Sequence, residues 1–248
     1  MHVGESRTAR RTGSTMVLTL MVLASAGSAQ ETTAPLPPPR PDTSSTPTET
    51  PDVKFGPDGA APAAKAPDVR QADRDCIERI TRLGLRFETR PPLQENDCSV
   101  SNPVLVSALP NGVEVSPPSL MTCPLAESLS RWAREVVLTE ADRHLQSAPT
   151  RLLIGTSYQC RDQRSGAKLS EHAFGNAVDI TGFEFAKRDP LAIKSHEEGS
   201  PEAAFQTAVQ KGACAVFTTV LGPGADDDHD DHLHLDMRER KGDYRICQ

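Results

Sequence analysis

From Pro124 onward Leu125, Leu129, Trp132 and Val136 recur at spacings of four, three and four. That rhythm puts them on one face of a helix and predicts a helix ending near Gln146, with this stripe turned to the core. A second helical rhythm begins at Arg74, where Cys76, Ile77, Ile80 and Leu83 alternate with charged neighbours, and it marks the expected start of the folded domain. Pro201 to Ala213 reads as a further helix, with proline in its first turn. Strands are expected at Val104 to Val115, broken by the turn Pro110-Asn111-Gly112, and at Arg151 to Tyr158, Ala177 to Phe183 and His232 to Met237. Helices and strands mix without a regular alternation. The predicted class is therefore α+β, a small antiparallel sheet flanked by helices.

Upstream of Arg74 the pattern fails. Ten of the 21 prolines lie between Pro35 and Pro67, among Thr, Ser, Ala and Asp, with too little apolar surface to build a core. Residues 30–73 are expected to form a disordered linker. The first 29 residues read as a secretory signal: Arg7, Arg10 and Arg11, then an apolar stretch from Met16 to Ala24, then small residues ending at Ala29. The apolar stretch is shorter than the ~20 residues of a bilayer span. The chain is accordingly expected to be exported to the periplasm or cell envelope, with no stable membrane span after cleavage. The folded domain is expected to occupy residues 74–248.

Export changes the charge and the reading of the cysteines. Cleavage removes three arginines and one glutamate, so the net charge of −7 becomes −9. An acidic chain with one Trp and two Tyr is a poor match for phosphate backbones or stacked bases, which argues against nucleic acid as a partner. Cys76, Cys98, Cys123, Cys160, Cys214 and Cys247 form an even set in an oxidising compartment. Three disulfides are the expectation, with connectivity left open.

Two segments concentrate the chemistry: Ser170 to Asp179, reading SEHAFGNAVD, and Asp226 to Asp236, reading DDDHDDHLHLD. On a strand His232, His234 and Asp236 share one face and Leu233 and Leu235 the other. Gly175 permits a turn after His172, and the small Ala177 lets a strand run up to Asp179, so His and Asp can converge. Three mixed nitrogen and oxygen ligands with one open position suit catalytic zinc, which lowers the pKa of a bound water. Asp226, Asp227 and Asp228 read as a solvated loop, His229 as exposed, and Asp236 as a group that orients an imidazole. His144 and His196 have no evident partners.

The pattern Ser170-x-His172-x-x-Gly175-x-Ala177-x-Asp179, followed by His232-x-His234, resembles the signature of zinc peptidases that include D-alanyl-D-alanine carboxypeptidases and lysostaphin-type murein hydrolases. With Tyr158-x-Cys160-Arg161, Leu221-Gly222-Pro223-Gly224 and Asp231 to Asp236, residues 74 to 248 resemble the extensin-like C-terminal domain family more closely. The resemblance implies zinc on His172, Asp179 and His234. It implies a general base at His232 or Asp231, of which His232 is favoured because Asp is short for the reach. It places Ser170 and Arg161 where a substrate carboxylate would be held, Arg161 loosely. The implied activity is hydrolysis of peptide bonds in peptidoglycan stem peptides. The alternative is a non-catalytic zinc-bearing structural or binding domain of the envelope.

Overall fold

The computed structural model describes residues 69–248, apart from Ser165 and Ala167. The expected signal segment and almost all of the expected linker lie outside the described residues. The last expected linker residues are an exception, because helix α1 spans Val69–Arg82. It begins before Arg74 because Pro67 is the last proline of the tract and nothing from Val69 to Arg82 breaks a helix. Among the described residues no helix is long and apolar enough to cross a membrane.

The strands are β1 (Arg86–Thr89), β2 (Leu93–Glu95), β3 (Cys98–Val100), β4 (Pro103–Ala108), β5 (Glu114–Thr122), β6 (Pro149–Ile154), β7 (Ala177–Phe185), β8 (Leu191–Ala192), β9 (Thr219–Leu221), β10 (Leu233–Asp236) and β11 (Ile246–Cys247). They form a nine-stranded sheet in the order β1-β4-β5-β6-β7-β10-β9-β11, with β8 on β7, and a separate antiparallel pair of β2 and β3. Pairing is antiparallel except between β5 and β6 and between β9 and β11. The α+β class holds, and the strands that carry the candidate ligands are antiparallel neighbours. The sheet is larger than the sequence suggests. The edge strands β1, β8 and β11 are too short to show a period of two.

Helices α2 (Cys123–Trp132) and α3 (Leu138–Leu145) join through one wider turn, Ala133–Val137. Thr122 caps the start, accepting from the Leu125 N–H, and Gln146 ends the run in the left-handed region. The stripe Leu125, Leu129 and Trp132 is buried, as its spacing predicts. Helix α4 spans Pro201–Ala213 with Ser200 as its cap. The Trp132 indole N–H donates to the Val209 carbonyl at 2.9 Å, joining α2 to α4 over Phe183 and Phe217.

That aromatic layer joins the core that covers one face of the sheet at β7 and β10. Val178, Ile180, Leu233 and Leu235 are all buried in it. Each such side chain stabilises by roughly 1.5–3 kcal/mol, which pins the register of β7 against β10. Alternation then sends Asp179, His234 and Asp236 to the opposite face. Three disulfides close the framework: Cys76–Cys123, Cys98–Cys160 and Cys214–Cys247.

Candidate metal centre

His234 on β10 lies directly opposite Asp179 on β7 in the antiparallel register, and the His234 Nδ1 to Asp179 Oδ1 distance is 2.9 Å. His172 enters from a single 3-10 turn, Glu171–Phe174. Ser170 caps that turn by accepting from the His172 N–H at 3.4 Å, and Gly175 closes it at φ 61°, a conformation that costs glycine little. The His172 Nε2 lies 3.2 Å from His234 Nδ1 and 3.2 Å from Asp179 Oδ1. Three ligand atoms from three segments thus converge on one point, and the group can hold a metal ion.

The outer hydrogen bonds fix which nitrogens face inward. His172 Nδ1 donates to the Ser157 carbonyl at 2.6 Å, and His234 Nε2 donates to Asp236 Oδ2 at 3.2 Å. Those assignments leave His172 Nε2 and His234 Nδ1 as bare lone pairs aimed at each other and at a carboxylate oxygen. Three acceptors that close repel unless a cation sits among them. Ligands at about 2.0–2.1 Å from a tetrahedral zinc stand roughly 3.3 Å apart, close to the separations seen here. The residues fit a metal of zinc size, and Asp236 orients an imidazole as its position predicts.

In the absence of metal a proton takes that place. Burial disfavours charge on Asp179, yet His172 and His234 override it and hold the carboxyl well below the usual carboxylate range. Burial also disfavours the charged form of His234, but Asp179 and Asp236 outweigh it and raise its pKa to about 9. Asp236 is lowered against its burial by His234, Thr219 and the Arg238 backbone N–H. Because the folded pKa of His234 is raised, its charge stabilises the metal-free fold fully below the unfolded value of 6.5, and the contribution is lost as pH rises through about 9. A metal must displace that proton. Zinc affinity measured by competition with a chromogenic chelator is expected to rise about tenfold per pH unit up to about 9 and then to level off. An affinity unchanged between pH 6 and 8 would contradict the arrangement.

The centre opens on a cleft of about 500 Å³. His232, just before β10, points into it with Nε2 3.8 Å from Asp179 Oδ1, while its Nδ1 donates to Asp231 Oδ1 at 2.8 Å. The Asp231 side chain is itself 88% exposed. Arg161 lines the cleft, its Nε held by Gln159 at 2.9 Å. Ser170 lines it too, buried and engaged as a cap. His229 corrects the sequence reading. Its side chain is only 18% exposed, with Nδ1 2.6 Å from Asp226 Oδ1, and its ring stands 5.2 Å from His232 and 5.9 Å from His234. The acidic run hides it, because a turn has no periodicity to reveal an inward side chain. Arg164, Arg238 and Arg240 also line the cleft and were not singled out by the sequence, where isolated arginines give no signal. Arg164 pairs with Asp228, which also lines the cleft. The other two histidines among the described residues have ordinary partners: His144 sits by Glu140 on α3, and His196 donates to the Ala192 carbonyl.

A family model described as Extensin-like protein C-terminus matches residues 74–248. No curated protein and no solved structure matches the chain significantly.

Proposed function

We propose that this chain, which belongs to the extensin-like protein C-terminus family, is a zinc-dependent hydrolase of peptide bonds in cell-wall peptidoglycan, working in the periplasm or cell envelope. One observation carries the reading. Three ligand atoms converge at 2.9 to 3.2 Å, and their point of convergence faces a cleft that holds further imidazoles. A purely structural zinc is normally closed by four protein ligands, often thiolates. Here all six cysteines are spent in disulfides.

Zinc held by His172, Asp179 and His234 would supply Lewis acidity to polarise a carbonyl and make a water nucleophilic near neutral pH. The remaining work falls to the chain. His232 Nε2 takes the proton of the attacking water, with Asp231 holding Nδ1–H and thereby fixing the tautomer. In this reading Asp231 is the orienting group, its exposed carboxylate bonded to His232 Nδ1. His232 then returns that proton to the leaving amine, and His229, held in the same way by Asp226, lines the cleft beside it. Arg161 and Arg238 offer guanidinium groups to a substrate carboxylate in an otherwise acidic protein. Ser170 contributes by capping the turn that aims His172. The expected substrates are peptidoglycan stem peptides. The signal-like first 29 residues and the disulfide framework suit a wall substrate.

Incubation of the zinc-loaded protein with purified peptidoglycan is expected to release new amines and carboxylates in equal number, and chelator should stop the release. One bound zinc with no release from peptidoglycan or D-amino-acid peptides would refute the hydrolase and leave a structural or binding role for the metal.

A further inference from the structure

We propose that a second groove continues the metal cleft and holds the neutral backbone of the substrate peptide beyond the scissile bond, so that the site cuts internal bonds. The inference rests on the hydrolase reading and refines its substrate.

The groove follows from the sheet. β5 and β6 are parallel neighbours only over Glu114 to Ser116 and Arg151 to Leu153. Beyond that register the chains part. β5 runs on to Thr122 against β4, whereas the continuation of β6 stays bonded to β7. There the Gly155 N–H donates to the Asp179 carbonyl at 2.9 Å, and the Asp179 N–H donates to the Thr156 carbonyl at 2.8 Å. Parallel neighbours whose continuations stay with partners on opposite sides leave a crevice between them at their carboxyl ends.

The crevice measures about 320 Å³ and is walled by Pro117, Pro118 and Ser119 on one side and Thr156, Tyr158 and Gln159 on the other. Pro117 and Pro118 carry no N–H, so the edge of β5 that loses its neighbour leaves no donor orphaned at those positions. The opposite wall is fixed: the Tyr158 hydroxyl donates to the Glu95 carboxylate at 3.1 Å, and Cys160 is bonded to Cys98. Thr156 lines this crevice and the metal cleft alike. It is also bonded through its carbonyl to the ligand Asp179. Thr156 is therefore the residue at which the two lobes meet, one hydrogen bond from a ligand residue.

The two lobes differ in charge. The cleft is lined by charged groups of both signs, Arg161, Arg164, Arg238 and Arg240 with Glu171, Asp179, Asp228 and Asp236, while among the described residues no side chain lining the crevice is ionisable below the range of tyrosine. A charged group of the substrate suits the first, and uncharged main chain with small side chains suits the second. A hydrolase that removes only terminal residues must block a chain that continues past the scissile bond. This site offers a passage.

The test uses the zinc-loaded full chain and fluorescein-labelled peptides of alternating L- and D-alanine, nested from dipeptide to octapeptide, followed by anisotropy and by mass spectrometry of products. Affinity is expected to rise about tenfold for the longer peptides, the effect of one or two added main-chain hydrogen bonds, with cuts at internal bonds. Tyr158→Ala should remove that gain and leave dipeptide binding unchanged. Pro118→Trp, on an exposed edge, should do the same by narrowing the crevice if Tyr158→Ala fails to fold. Release of terminal residues only, with affinity independent of length, would overturn the proposal. Length-dependent binding that both variants abolish, without cleavage, would sustain the groove and sink the hydrolase. Neither binding nor cleavage would remove both.

Discussion

His232→Ala is expected to lower turnover on peptidoglycan by about 10²–10⁴-fold, the usual worth of a positioned general base, while the protein keeps its metal. The separation of effects is the point. His232 Nε2 stands 3.8 Å from Asp179 Oδ1 and is not among the three converging ligand atoms, so removing it leaves the metal-binding group intact. Among the described residues its imidazole makes one side-chain hydrogen bond, the 2.8 Å bond to Asp231. Asp231→Asn should therefore produce a smaller loss, because solvent can replace an exposed carboxylate in part. If His232→Ala retained full turnover with metal bound, His229, whose ring lies 5.2 Å away, would become the candidate base.

The Cys98→Ser/Cys160→Ser double variant is expected to lose on the order of 4 kcal/mol, from the closure entropy of a sequence separation of 62 residues. In a domain of this size that lowers the melting temperature by about 10 °C. The metal should suffer as well. The segment that Cys160 anchors holds His172 twice, through the Ser157 carbonyl on Nδ1 at 2.6 Å and through the Gln159 N–H on the His172 carbonyl at 3.2 Å. Loosening it frees the imidazole that the buried 3-10 turn presents. The Cys214→Ser/Cys247→Ser pair, which joins the end of α4 to β11, should lose stability with little change in zinc affinity. Thermal unfolding and metal competition on the two double variants separate these outcomes. Equal loss of affinity in both would contradict the anchoring role.

What the sequence made legible was periodic or concentrated. The α2 stripe and the alternation of Leu233, His234, Leu235 and Asp236 obey simple periods, and both are found as expected. Ligand-type residues cluster in two short runs, and the resemblance to zinc peptidases singled out His172, Asp179 and His234 among them. What stayed hidden depends on contacts between distant segments. The Ser157 carbonyl that selects the His172 tautomer is main chain, which no residue type announces. The expected strand to Tyr158 stops at Ile154, because at Gly155 the chain closes on β7, where a Cβ would stand 2.8 Å from Thr181 Cγ2. The parallel β5 and β6 pair was visible in principle, as two strands separated by a long helix, but β5 carries two prolines that read as turn signals. His229, Arg164, Arg238 and Arg240 come from turns and strand ends, where side-chain direction has no sequence signature.

The central claim is that His172, Asp179 and His234 hold one zinc ion with a position open to the cleft. Elemental analysis of the protein purified without chelator, beside His234→Ala prepared in the same way, tests it most directly. The arrangement predicts about one zinc per chain in the unaltered protein and almost none in the variant, since two remaining ligands hold zinc weakly. Equal metal content in the two, or none in either after zinc is supplied at pH 8, would contradict it.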